Sequence, residues 1–182
     1  MSASQAVEIK ESYMNKRLAL YNSEYPGNPA TKGVAIVLNR EITNTVGVGI
    51  HYLIPGRAIL AIIPWHGTRT LTVLASYAPT ESDAEKVEYW NKLCTLWLTL
   101  DLPVPDVVGG DFNLVTSPLD RMPHHTDSDT VIAAYLRFAR LLELKDGWRQ
   151  INPDTYEGNI VPHRLAAGLP DPHEELPKLG NY

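Results

Sequence analysis

Cysteine is almost absent from this chain. Cys94 is the only one in 182 residues, so no internal disulfide and no thiolate zinc cluster can be built. A reducing, intracellular setting, nuclear or cytoplasmic, is the expectation that follows. Apolar runs of about 18 residues are missing too, so no membrane-spanning helix and no membrane partner are expected. The opening Met-Ser-Ala-Ser-Gln-Ala-Val-Glu lacks a basic region followed by an apolar one, and no secretory signal is expected from it. Positive charge is not in excess: 16 basic residues face 21 acidic ones, for a net of −5. Residues 1–57 carry +2 and the other 125 carry −7, which is not the footprint of a protein that grips DNA by bulk electrostatics. Internal repeats and a Gly-rich phosphate loop are lacking as well, since the glycines at 47, 49 and 56 do not have the spacing of a nucleotide motif.

What remains is the composition of one soluble domain, 44% hydrophobic and 20% charged, long enough to bury a real core. Apolar and charged residues alternate at helical spacing over 4–17, through Ala6, Ile9, Tyr13 and Met14. A short strand is expected over 18–21, and a turn-rich loop over 22–32 holds Pro26, Gly27, Asn28 and Pro29. The apolar run over 33–38 predicts a strand buried on both faces. A weaker strand is expected over 45–53, one over 57–64 after a Pro-Gly turn, and one over 70–77 after Gly67-Thr68, which reads as a hairpin connection. Two helices follow. Over 82–100, Val87, Trp90, Cys94 and Trp97 form one stripe with Leu93 beside it, and Ser82 with Glu85 makes a capping box. Over 129–142, Val131, Tyr135, Phe138 and Leu142 share a face, with Asp129 or Thr130 as the N-cap. Beyond Trp148 the pattern ends, and five prolines after position 152 predict an irregular tail.

The stretch over 105–114, Pro-Asp-Val-Val-Gly-Gly-Asp-Phe-Asn-Leu, carries the strongest chemical signal. Apolar residues end in two glycines, then a carboxylate, an aromatic and an amide. A buried strand would throw Asp111 and Asn113 onto its edge. There Asp111 could hold a hard cation or accept a proton, and Asn113 could donate to a phosphate oxygen or orient the aspartate. Locally, Asp-x-Asn can instead merely cap the turn that follows a strand. Early strands, then helix, strand and helix, suggest an α/β protein with a mixed sheet or two packed sheets.

Three stretches together resemble the endonuclease/exonuclease/phosphatase superfamily, the DNase I-like proteins: 33–38, 70–80 ending in Ser-Tyr-Ala-Pro-Thr, and Val-Gly-Gly-Asp-Phe-Asn over 108–113. The likeness is nearest to the endonuclease domain of fungal LINE-type retrotransposons. It includes Ile-Pro-Gly-Arg-Ala over 54–58, Trp-His-Gly over 65–67, Leu-Asp-Arg over 119–121, Asp-Gly-Trp-Arg over 146–149 and Asn-Pro-Asp-Thr over 152–155, in this order. It covers about residues 16–156, so 1–156 reads as a partial domain and 157–182 as an irregular, proline-rich tail. The resemblance implies an α/β (α+β) partial two-sheet sandwich flanked by helices, with the active site at one end of the sheets. It also implies Mg2+-dependent phosphodiester hydrolysis, with DNA as substrate and a reverse transcriptase as partner in the parental element. Asp111 and Asn113 would be the catalytic and metal-contacting pair, and Tyr77 would hydrogen-bond the scissile phosphate. Arg57 fits a structural position. Asp120 and Arg121 would pair with each other or shape the loop, and His66, His124 and His125 read as solvated loop histidines.

The departures bear on activity. Members of the superfamily open with a strand ending in Asn and another ending in Gln-Glu, whose Glu is a principal metal ligand. They close with Ser-Arg-Ile-Asp and then Ser-Asp-His or Thr-Asp-His. None of these has a counterpart here; Glu8 and Glu11 lie within the expected first helix, and His163 and His173 stand in proline-rich sequence. The expectation is a copy truncated at both ends, with impaired or no catalysis. The alternative is an interaction or nucleic-acid-binding module that keeps the fold.

Overall fold

A computed structural model of the chain describes residues 17–28, 32–153 and 164–166. The helix expected over 4–17 lies outside them, apart from Arg17, as does most of the stretch after 153. In chain order the elements are β1 (Leu18–Glu24), β2 (Gly33–Asn39), β3 (Gly49–Ile54), β4 (Ala58–Pro64), β5 (Thr70–Tyr77), α1 (Asp83–Thr99) and β6 (Val107–Asp111). A short 3-10 turn (Pro118–Asp120), α2 (Asp129–Leu141), β7 (Leu144–Asp146), α3 (Gly147–Ile151) and β8 (Arg164–Ala166) complete it. Strands β1 and β2 form a small antiparallel sheet. The other six form a mixed sheet in the order β3-β4-β5-β6-β8-β7. Among the described residues only β5 and β6 pair in parallel, across the α1 crossover that parallel pairing requires.

Alternation along β4 shows how the layers arise. Ala58 and Leu60 face the helices, while Ile59, Ala61 and Ile63 face the small sheet, and the first four of these residues are fully buried. A strand covered on both faces reads as a continuous apolar run, as Ala-Ile-Leu-Ala-Ile-Ile does here. On the helix side, Trp90 of α1 meets Tyr135 at 5.0 Å, Phe138 at 5.4 Å and Phe112 at 5.8 Å between ring centres. On the other side Ile36 of β2 packs with Ile59, Ala61 and Ile63. The result is a mixed α/β sandwich of two sheets with helices outside. Among the described residues no helix is long and apolar enough to cross a membrane.

Several expectations need correcting. The run over 33–38 is not buried on both faces: Val37 is 51% exposed. Only alternate residues of β2, Val34, Ile36 and Leu38, pack into the core, so a single face meets it. The N-cap of α2 is Ser128 rather than Asp129 or Thr130. In α1 the fully buried residues are Tyr89, Trp90 and Leu93, while Val87, Cys94 and Trp97 pack half-buried at the margin. Ser82 does cap α1, its hydroxyl accepting from the Glu85 N–H at 3.3 Å and donating to the Glu85 carboxylate at 3.0 Å. Strands β7 and β8 and helix α3 were not expected. They are three to five residues long, too short to show a period, and β8 arises within the proline-rich stretch.

The two glycines of β6 have opposite status. A Cβ on Gly110 would sit 1.9 Å from the Ser76 carbonyl oxygen, and its φ of +131° is a region L-residues rarely enter. A Cβ on Gly109 meets nothing within 4 Å. Gly110→Ala should therefore destabilise the fold by about 2 kcal/mol or more, and Gly109→Ala by less than about 1 kcal/mol. Urea unfolding of both variants measures the contrast; equal midpoints would contradict it.

Candidate active site

Parallel pairing brings the C-terminal ends of β5 and β6 side by side. Tyr77 and Asp111, the last residue of each strand, are register partners. Strand alternation then puts their side chains on the same face of the sheet. The backbone closes the junction: Ala78 N–H donates to the Asp111 carbonyl at 2.8 Å, and Tyr77 N–H to the Arg57 carbonyl at 2.7 Å.

Phe112 explains why its neighbours point outward. Its ring enters the aromatic cluster under α1 and α2 and is 6% exposed, which leaves Asp111 exposed at the sheet end. Asn113 takes a left-handed φ of +48°, a conformation asparagine tolerates better than most residues. Its backbone N–H donates to Oδ1 of Asp111 at 3.1 Å, and its Nδ2 donates to the Ala78 carbonyl at 2.8 Å. The turn-cap reading of Asp-x-Asn thus holds, yet it uses one carboxylate oxygen only. Among the described residues Oδ2 of Asp111 has no protein partner. Asp111 and Asn113 between them offer two oxygens, the donor type a hard cation takes. Among the described residues no group of three or more His, Cys, Asp and Glu side chains could hold a metal.

Arg57 lies beneath this strand end, 7% exposed. Its guanidinium carbon stands 5.0 Å from the centre of the Tyr77 ring. Nη1 donates to the Ala78 carbonyl at 3.0 Å, and Nη2 to both oxygens of Glu81 at 3.0 and 3.2 Å. Lys32 adds a second cation to Glu81 at 2.8 Å. The Lys32 hydrogen bond, backbone N–H donors and the Arg57 charge hold the Glu81 carboxyl down to about 2. A cavity of about 420 Å3 shares Arg57 and Pro79 with this region, but Tyr77, Asp111 and Asn113 do not line it. Behind the site, Ser76 and Tyr89 hydroxyls meet at 2.7 Å, and burial pushes the Tyr89 phenol up.

The loop after Asn113 is fastened by Asp127, whose side chain is 6% exposed. It accepts from Lys86 of α1 at 2.7 Å, from the Val115 N–H at 2.9 Å and from Arg121 at 3.1 Å. Burial alone would raise this carboxyl; those hydrogen bonds and the two cations outweigh it and hold it below the usual range. Asp120 and Arg121 do not pair with each other: Asp120 bonds Arg149, and Arg121 reaches Asp127 and His125. His66 sits in the turn at the far end of β5, roughly 20 Å from Tyr77 at strand rise, so it takes no part in the site. His124 and His125 are exposed, with Nδ1 against the Pro118 and Pro123 carbonyls. Sequence reasoning missed Glu81, Tyr89 and Asp127. A run of Pro-Thr-Glu or Thr-Asp-Ser gives no sign of its distant partners, and Arg57 was expected at a structural position only through the family resemblance.

No family model matches the sequence. A stretch of 104 residues is 32% identical to the Transposon TX1 uncharacterized 149 kDa protein of Xenopus laevis, covering 57% of this chain and 8% of that protein. In structure the chain is similar to the AP endonuclease LMAP from Leishmania major, with a TM-score of 0.55 and 12% identity over 82% of this chain and 62% of that one. It is also similar to D. rerio TDP2, solved with a single-strand DNA product, with a TM-score of 0.54 and 13% identity over 94% of this chain and 70% of that one. The chain thus has the DNase I-like α/β fold, and it spans a small part of the transposon protein it matches.

Glu81 and Asp127 are both held below their unfolded values, so each stabilises the fold above that value and stops doing so as pH falls. For Glu81 the window runs from about pH 4.5 down to about 2. Thermal unfolding followed across it should fall less steeply for Glu81→Gln than for the native chain. About 1 M salt should shrink the difference, because Glu81 is 39% exposed. Parallel curves for the two proteins would refute the assignment.

Proposed function

Proceeding from a DNase I-like fold that places Tyr77, Asp111 and Asn113 at one sheet end, we propose that this chain is an Mg2+-dependent phosphodiesterase domain of the DNA endonuclease type, originating in a LINE-type retrotransposon. The observation that carries the reading is the junction of β5 and β6, where Tyr77 and Asp111 are register partners and Asn113 is bonded to both strand ends. The likenesses to an AP endonuclease and to a TDP2 bound to a DNA product support DNA as the substrate class, and the transposon protein supports the origin.

Each residue then has a role that its surroundings permit. Oδ2 of Asp111 orients the attacking water or accepts its proton, while Oδ1 stays on the Asn113 N–H. The Tyr77 hydroxyl donates to a non-bridging phosphate oxygen. Asn113 presents its amide oxygen, Nδ2 being committed to Ala78. Bound Mg2+ would neutralise charge on the phosphoryl oxygens, held by Asp111 and Asn113 with waters completing its shell. Removing one preorganised contact costs about 10²–10³ in rate, and the superfamily's Glu and His motifs have no counterpart in these residues. These 182 residues by themselves should therefore cut weakly or not at all. In the parental element a reverse transcriptase is the expected partner.

Nicking of supercoiled plasmid with Mg2+ or EDTA, by the chain and by Asp111→Ala, tests the proposal. Any nicking should require Mg2+ and fall about 10²-fold or more in the variant, with near-UV circular dichroism showing both folded. Nicking that persists in EDTA or without Asp111 would overturn it. Folded protein that never nicks but binds DNA at low salt would instead indicate a binding module that keeps the fold.

A further inference from the structure

Resting on that reading of the site, we infer that Arg57 is a positioning residue for both halves of it, and that Glu81 is the clamp that keeps Arg57 in this role. The Ala78 carbonyl is the node. It accepts from Arg57 Nη1 at 3.0 Å and from Asn113 Nδ2 at 2.8 Å, so one oxygen links the guanidinium to the amide beside Asp111. The same guanidinium stacks on the Tyr77 ring at 5.0 Å, and the Arg57 carbonyl holds the Tyr77 N–H at 2.7 Å. The Ala78 N–H, in turn, holds the Asp111 carbonyl at 2.8 Å. Tyr77, Asn113 and Asp111 are thereby all referred to one buried cation, through contacts on different atoms.

Glu81 fixes where that guanidinium points: both of its carboxylate oxygens accept from Nη2, at 3.0 and 3.2 Å, which leaves Nη1 on the Ala78 carbonyl. Lys32 meets the same Oε1 of Glu81 at 2.8 Å, so two cations hold that carboxylate. Planarity matters here: a guanidinium can stack on a ring, reach a carbonyl and fork to a carboxylate at once, and an ammonium cannot. Arg57→Lys is therefore not conservative at this position.

NMR spectra of the full-length chain, without DNA or metal, test this independently of nicking. The probes are the Asn113 side-chain amide and the Tyr77 ring protons. In Arg57→Gln both should shift, with the Asn113 amide moving upfield as its shared acceptor swings away. Arg57→Lys should restore the Asn113 signal in part and leave the Tyr77 ring displaced. Glu81→Gln keeps the arginine but weakens its fork, and it should move the same two probes while the chain stays folded. A lowered melting temperature with both probes unmoved would make Arg57 merely structural and overturn the inference. Should Arg57→Gln fail to fold, unmoved probes in Glu81→Gln would do the same. Because these spectra need no substrate, they separate failure of this inference from failure of the endonuclease reading.

Discussion

The parallel pairing of β5 with β6 is the constraint on which the site depends. Five register pairs run from Val73–Val107 to Tyr77–Asp111, and the last two can form only because residue 110 lacks a side chain. Ser76 faces that glycine closely enough that its carbonyl fills the place of a Cβ. The near contact draws the strand ends together. Phe112 then inserts into the aromatic cluster and stops the chain from continuing along the sheet. A one-residue slip would bury Asp111 and expose Phe112, exchanging an apolar ring for an unpaired carboxylate in the core.

Much of this was legible in sequence, and the reasons differ by element. Strand β5 was bounded correctly because Gly67-Thr68 and Ala78-Pro79 punctuate it on both sides. The face of α2 was legible because Val131, Tyr135, Phe138 and Leu142 repeat at helical spacing, and all four are buried. The run over 33–38 misled for a specific reason: apolar content reports one covered face as readily as two when the other sheet is small. For the site, Gly-Asp-Phe-Asn and Tyr-Ala-Pro singled out Asp111, Asn113 and Tyr77, which lie together at one sheet end. What could not be seen was their juxtaposition with Arg57 and Glu81, since no period or motif encodes which carbonyl a buried guanidinium will find.

Charge in this molecule acts locally. The ion pair of Arg17 and Glu41 is well over half exposed on the arginine, and such pairs contribute about 0–1 kcal/mol. Arg57 and Asp127 are different, with side chains only 8% and 6% exposed, and each is met by several partners of fixed geometry. Arg57 meets the Glu81 carboxylate, which Lys32 shares, and Asp127 meets both Lys86 and Arg121, so each buried charge has an opposite partner in direct contact.

The α1 crossover also sets a schedule. Tyr77 and Asp111 stand 34 positions apart, so the ribosome finishes β5 well before it delivers the strand that completes it. At about 5–20 residues per second, that interval is on the order of 2–7 seconds. Over that interval the β6-facing side of β5 has no partner in the sheet; Arg57 is already made, and Glu81 follows Tyr77 by four residues. One half of the site can thus be assembled on the nascent chain before the half bearing Asp111 exists.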